Sequence, residues 1–176
     1  MKAIVNVDLN WGIGCNGKLL VRIPEDMRFF KQTTLGKIVV MGRETFESLP
    51  GGLPLIERTN IVLSRDNEYN PSGVIKCSSI FDLNLNLSQY SFDDVFVIGG
   101  ESVYKQLLPF CSEAYVTKVQ TKCEADKFFV NLDLAHEWEL IEESDTKTHN
   151  DINFRFCKYA NKKIKKWLNE KEKSTL

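Results

Sequence analysis

Asp26 lies in the stretch RIPEDMRFFKQTT, where a helix opening at Pro24 places Phe29 and Phe30, three and four residues on, along the same face as the carboxylate. Phenyl rings strip water from such an acid, which disfavours its charged form and raises its pKa; a cationic or hydrogen-bond-donating ligand pulls it back. A second account competes. Acids in a first helical turn interact favourably with the helix dipole whatever they face, although Glu25 alone meets that need.

Phosphate chemistry has three candidate places. Gly12, Gly14 and Gly17 match the dinucleotide fingerprint G-x-G-x-x-G behind a strand, but residues 18–24 read as extended where the fingerprint needs a helix, so residues 12–17 are expected to form a flexible loop beside a site. In VFVIGGESVYKQLLP an apolar strand stops at Gly99-Gly100 and a helix starts near Ser102, which suits either an approaching pyrophosphate or a plain tight turn. KIVVMGRET and TNIVLSRD put Gly42 with Arg43, and Ser64 with Arg65, at two further strand ends. In an open parallel sheet these ends share one crevice, and two guanidiniums there suit a ligand with an extra phosphate, such as NADPH rather than NADH.

The elements that position these residues follow from periodicity. Runs rich in Val and Ile at residues 3–7, 37–41, 59–64, 94–98 and 114–120 read as strands of a largely parallel sheet. Helices are expected at Pro24–Thr34, residues 43–49, Ile80–Leu87 and residues 102–108, giving layered α/β architecture. Residues 137–143 and 152–160, around a polar loop at 144–151, read as an antiparallel hairpin on the sheet edge. The Lys-rich end places Ile164, Trp167 and Leu168 on one side of a possible helix, read as an extension packed on its own domain or fraying in solvent.

Composition narrows the partners. With 176 residues, 43% apolar and 27% charged, the chain suits one domain, and 23 basic against 24 acidic residues leave a net charge of −1, no field for nucleic acid or acidic lipid. Five cysteines, widely spaced and without C-x-x-C, argue against a disulfide framework or a zinc ribbon, and the absence of a signal peptide or an 18-residue apolar span points to a cytoplasmic protein. His136 and His149 stand alone, so no metal is expected, and no G-x-S-x-G elbow suggests a nucleophile.

Taken in order, VNVDLNWGIGCNG, RIPEDMRFFKQTT, VVMGRETFESLP, TNIVLSR, VIGGESVY and AYVTKV resemble the dihydrofolate reductases of the bacterial type, from Ala3 to about Ala160. The resemblance implies a three-layer α/β fold with a mostly parallel eight-stranded central sheet and a C-terminal antiparallel hairpin, in a single domain over residues 1–160 with a basic tail at 161–176. It implies NADPH-dependent reduction of 7,8-dihydrofolate to tetrahydrofolate by a monomer that also takes antifolate-type molecules. Asp26 corresponds to the single acid of the pterin pocket, where the pterin N3–H and 2-amino group meet it side by side. Val5, Asn6, Met27, Phe30, Leu49, Ile98 and Tyr104 would line that pocket, Thr117 would support the acid through a water, and Arg58 would hold the glutamate α-carboxylate. Gly42, Arg43, Thr45, Leu63, Ser64, Arg65, Gly99, Gly100, Glu101, Ser102 and Val103 would contact the cofactor, with Asn6, Ile13 and Gly14 near the nicotinamide and Asn16, Gly17, Lys18 and Leu19 in a mobile loop. The chain departs from the family at Leu20-Val21, where Trp is common, and at Glu44, where a basic residue is common. Two rivals remain open at this point: a pyrimidine-nucleotide reductase of riboflavin synthesis on the same fold, and a nucleotide-binding scaffold without catalysis.

Overall fold

The computed structural model describes residues 1–167. In chain order the strands are β1 (Lys2–Val7), β2 (Gly12–Cys15), β3 (Lys18–Leu19), β4 (Ile38–Gly42), β5 (Thr59–Leu63), β6 (Ile75–Cys77), β7 (Val95–Gly99), β8 (Glu113–Val119), β9 (Lys127–Phe128), β10 (Trp138–Glu143), β11 (Lys147–His149) and β12 (Ile152–Asn161). The helices are α1 (Pro24–Thr34), α2 (Arg43–Glu47), α3 (Ile80–Leu87) and α4 (Glu101–Leu107). The main sheet runs β10-β12-β8-β1-β7-β4-β5-β6, with β11 added on β12. Every pairing from β8 to β6 is parallel, and β12 pairs antiparallel with β8, β10 and β11.

Alternation along the central strands splits the core in two. Ala3, Val5 and Val7 of β1, Val40 of β4 and Val97 of β7 face the side covered by Leu83, Leu87, Val103 and Leu107 of α3 and α4. Ile4, Val39, Met41, Val62 and Phe96 face the other side, where Phe46 of α2 and Phe29 and Phe30 of α1 pack. Strands buried on both faces explain why these segments are continuous apolar runs. α1 therefore lies across one sheet face with its first turn near the strand tips.

Three expectations are corrected. The polar loop at 144–151 contains β11, and β6 is a further strand; both are three residues long, too short for a period to register. Residues 12–17 are not a flexible loop: β2 and β3 form a hairpin through Asn16 and Gly17, both at positive φ, and β9 pairs on its other side. The Asn-Gly pair is the signal that finds this turn in the sequence. Residues 162–167 carry no helix, and Leu168 lies outside the described residues.

Ile164 is exposed, but Trp167 is half-buried, with its ring edge-on to Phe110 at 4.7 Å and to Phe92 at 5.8 Å. The backbone of Lys165 donates to the Pro109 carbonyl at 2.9 Å, fixing the segment beside α4. Trp167→Ala should lower unfolding free energy by about 2 kcal/mol in urea titrations and leave turnover unchanged, since the clasp is remote from the strand tips.

Candidate active site

Ile23 precedes α1 without a side-chain cap, and Pro24 takes the first helical position with Glu25 and Asp26 in the first turn. Glu25 turns outward to Lys147 of β11 at 2.7 Å, whereas Asp26 is only 7% exposed and turns to the strand tips. Glu25 thus meets the dipole's need, and Asp26 has another partner set. Thr117 Oγ1 donates to Asp26 Oδ1 at 2.6 Å, and Asn6 Nδ2 donates to Oδ2 at 2.9 Å. Asn6 and Thr117 are cross-strand register partners in β1 and β8, so both side chains project to the same face and reach one carboxylate. The water implied between Thr117 and Asp26 is corrected to a direct hydrogen bond.

Burial raises the Asp26 pKa, and the donors from Asn6 and Thr117 oppose that shift. An acid raised on folding adds its full stability below the ordinary carboxylate value and loses it as pH climbs through the raised value. Asp26→Asn, neutral throughout, should therefore melt above the wild type at neutral pH, by roughly 2–4 °C if the relief is about 1 kcal/mol, and show no advantage in acid. Thermal unfolding across that pH window checks the sign.

The acid opens into a cleft of about 1970 Å³ running along the strand tips. With Asp26, its lining takes in Val5, Asn6, Met27, Phe30, Leu49, Ile98 and Tyr104. Phe29 turns away and packs on Phe156 at 4.6 Å, so one phenyl of the pair faces the cleft. Tyr104 is fixed by its hydroxyl donating to the Ile4 carbonyl at 2.7 Å, and burial raises its pKa. The same lining includes Ile13, Gly14, Gly17, Lys18, Leu19, Gly42, Arg43, Thr45, Leu63, Ser64, Arg65, Gly99, Gly100, Glu101, Ser102 and Val103. Gly99 has φ 125°, a conformation that excludes side chains in practice, and a Cβ on Gly100 would stand 3.1 Å from Thr45 Oγ1. Bare backbone at Gly99 and Gly100, with Arg43 and Arg65 in the same lining, suits a phosphate-bearing ligand. The Lys105 ammonium, 2.5 Å from Glu101, holds that carboxyl below its usual range.

Three predicted residues are not among the cleft's lining. Thr117 stands behind Asp26. Asn16 points outward at the hairpin turn, its backbone N–H bonded to Asp126 at 3.0 Å. Arg58 has its Nε on Thr34 Oγ1 at 2.9 Å and its Nη1 and Nη2 on the Ile56 and Lys31 carbonyls, with one further N–H left on each outer nitrogen. Sequence reasoning missed Arg22, Ser78, Ser79, Gln106 and Lys127, all in the lining. Lys127 arrives through the pairing of β9 with Gly14, a contact no local pattern announces. Among the described residues no cluster could hold a metal ion, and burial pushes the thiols of Cys77 and Cys157 up to about 11 and Cys111 up to about 12, which leaves them inert.

Fold and cleft together describe an α/β protein of the nucleotide-binding kind, with a buried acid opening into the cleft. The family model for dihydrofolate reductase matches residues 1–161. The chain is 40% identical to the dihydrofolate reductase of Haemophilus influenzae over 156 residues, covering 89% of this chain and 93% of that one. It is 34% identical to the Bacillus subtilis enzyme over 165 residues, covering 93% and 95%. A solved structure of the Enterococcus faecalis dihydrofolate reductase, complexed with NADP(H) and RAB-propyl, superposes with a TM-score of 0.80 at 32% identity, over 91% of this chain and 95% of that one. The chain belongs to the dihydrofolate reductase family. That membership sets aside both the riboflavin-pathway reductase and the scaffold.

Proposed function

We propose that this cleft reduces 7,8-dihydrofolate to tetrahydrofolate with NADPH, and that Asp26 is the residue that prepares the pterin for reduction. The observation that carries the reading is the buried carboxylate itself, held by Asn6 and Thr117 and opening beside Phe30 onto the strand tips. A carboxylate accepts the pterin N3–H and 2-amino donors side by side, and Phe30 offers its ring to the flat substrate. The bound cofactor supplies a hydride to pterin C6. The reduction also needs one proton at N5, which Asp26, at the opposite edge of the pterin, cannot deliver directly; it polarises the ring so that N5 takes that proton from water. The β2–β3 hairpin, with Lys18 and Leu19 on the cleft, covers this region and limits solvent.

Ile13 and Gly14 lie toward the nicotinamide, Gly42, Thr45 and Gly99 to Val103 toward the pyrophosphate, and Leu63, Ser64, Arg43 and Arg65 toward the adenosine end. Arg58 takes the substrate's α-carboxylate with its outer N–H groups. The same reading makes the protein a cytoplasmic monomer; five free cysteines, three of them buried, accord with a reducing compartment. Among the described residues no helix is long and apolar enough to cross a membrane. Mixing purified protein with NADPH and dihydrofolate tests the activity: the near-ultraviolet absorbance of the reduced nicotinamide should fall only when both are present. Loss without dihydrofolate, or no loss with it, contradicts the reading.

A further inference from the structure

Arg43 does not stand free at the adenosine end of the cleft. Its Nε donates to Glu47 Oε1 at 2.7 Å, its Nη1 donates to Asp66 Oδ2 at 2.6 Å, and its guanidinium lies 4.5 Å from the centroid of the Tyr69 ring. With Nε on Glu47, the side-on fork of the guanidinium is closed to a phosphate, which must use the outer nitrogens, one of them already on Asp66. Charge points the same way. Glu47 from the lining and Asp66 from beside it both pair with Arg43, Glu44 adds a further carboxylate, and Arg65 has no ion pair among the described residues. A dianionic phosphate placed here meets an arginine already paired to two carboxylates, so it gains from Arg43 only as far as those carboxylates yield.

We infer that Asp66 and Glu47 compete with the 2′-phosphate of NADPH for Arg43 and so set how strongly the protein prefers NADPH over NADH. Asp66 is the more readily displaced of the two. It belongs to the turn after β5 and is joined to Arg43 across 23 positions of sequence, whereas Glu47 is held one turn along α2 from Arg43. Both carboxylates are about half exposed, and an amide at position 66 still accepts the Glu68 N–H that Asp66 Oδ1 accepts at 3.0 Å, so the fold does not depend on their charge.

The inference rests on the assignment of Arg43 to the 2′-phosphate, and the experiment separates the two. Isothermal titration calorimetry would measure binding of adenosine 2′,5′-bisphosphate and of adenosine 5′-monophosphate to wild type, Asp66→Asn, Glu47→Gln and Arg43→Gln. Asp66→Asn is expected to tighten the bisphosphate about three- to tenfold while changing the monophosphate less than about twofold, with Glu47→Gln acting in the same direction. Weaker or unchanged bisphosphate binding in both carboxylate variants would overturn the competition, because the acids would then be orienting Arg43 rather than opposing its ligand. An Arg43→Gln variant that binds the bisphosphate as well as wild type would remove the assignment and the inference with it.

Discussion

Asp26→Asn should turn over dihydrofolate about two to four powers of ten more slowly than wild type at neutral pH. The amide keeps an oxygen for the Thr117 hydroxyl, which donates at 2.6 Å, so the variant should stay folded. What it loses is the charge and one acceptor: the pterin's two adjacent donors would face one oxygen and one NH₂, and the ring would no longer be polarised toward protonation at N5. As the medium becomes more acidic, solvent protonates the substrate more often without help, so the deficit should shrink. Steady-state rates across pH measure both effects. A variant within about twofold of wild type at neutral pH would place the proton chemistry elsewhere. Paired with the higher melting point expected of the same variant, the expected loss of turnover would mark Asp26 as an acid kept at some expense of stability.

Arg58→Gln is expected to raise KM for dihydrofolate by about one to two powers of ten with kcat little changed, the pattern of lost uniform binding. The guanidinium is pinned on three sides by Thr34, Ile56 and Lys31, so its remaining N–H groups point in a fixed direction and lose little entropy on meeting a carboxylate. A reduced pterin without the glutamate isolates the effect. If KM for that truncated substrate rises as much as for dihydrofolate, Arg58 is supporting the loop at residues 55–58 and not the ligand.

Much of this site is legible in the sequence. Residues three and four apart on a helix share a face, so Asp26 and Phe30 could be placed together, and strand tips in a parallel sheet converge, so Gly42, Ser64 and Gly99 could be assigned to one crevice. Spacing along the chain does not supply register between distant strands, so Asn6 and Thr117 come to the site through the family resemblance alone. Asn6 and Thr117 reach Asp26 because β1 and β8 pair with those two residues opposite each other, and no spacing along the chain encodes that. Lys127 enters the cleft for the same kind of reason. The spacing marks Arg43 as a guanidinium for a ligand's extra phosphate but does not show that Asp66, 23 positions on, already holds it; ion pairs of this kind are fixed by loop geometry. The fingerprint at Gly12, Gly14 and Gly17 failed because its last glycine serves a two-residue hairpin turn with Asn16, not a helix start.

The most direct measurement is a carbon-13 NMR titration of the Asp26 carboxyl in the free protein and with folate, the oxidised form of the substrate, in the cleft. Burial puts the free acid's midpoint above the ordinary aspartate range, and a pterin that presents two donors to the carboxylate should shift that midpoint downward. A midpoint at or below the ordinary range in the free protein, or one that folate leaves unmoved, would contradict the claim that a desolvated carboxylate at this position holds the substrate.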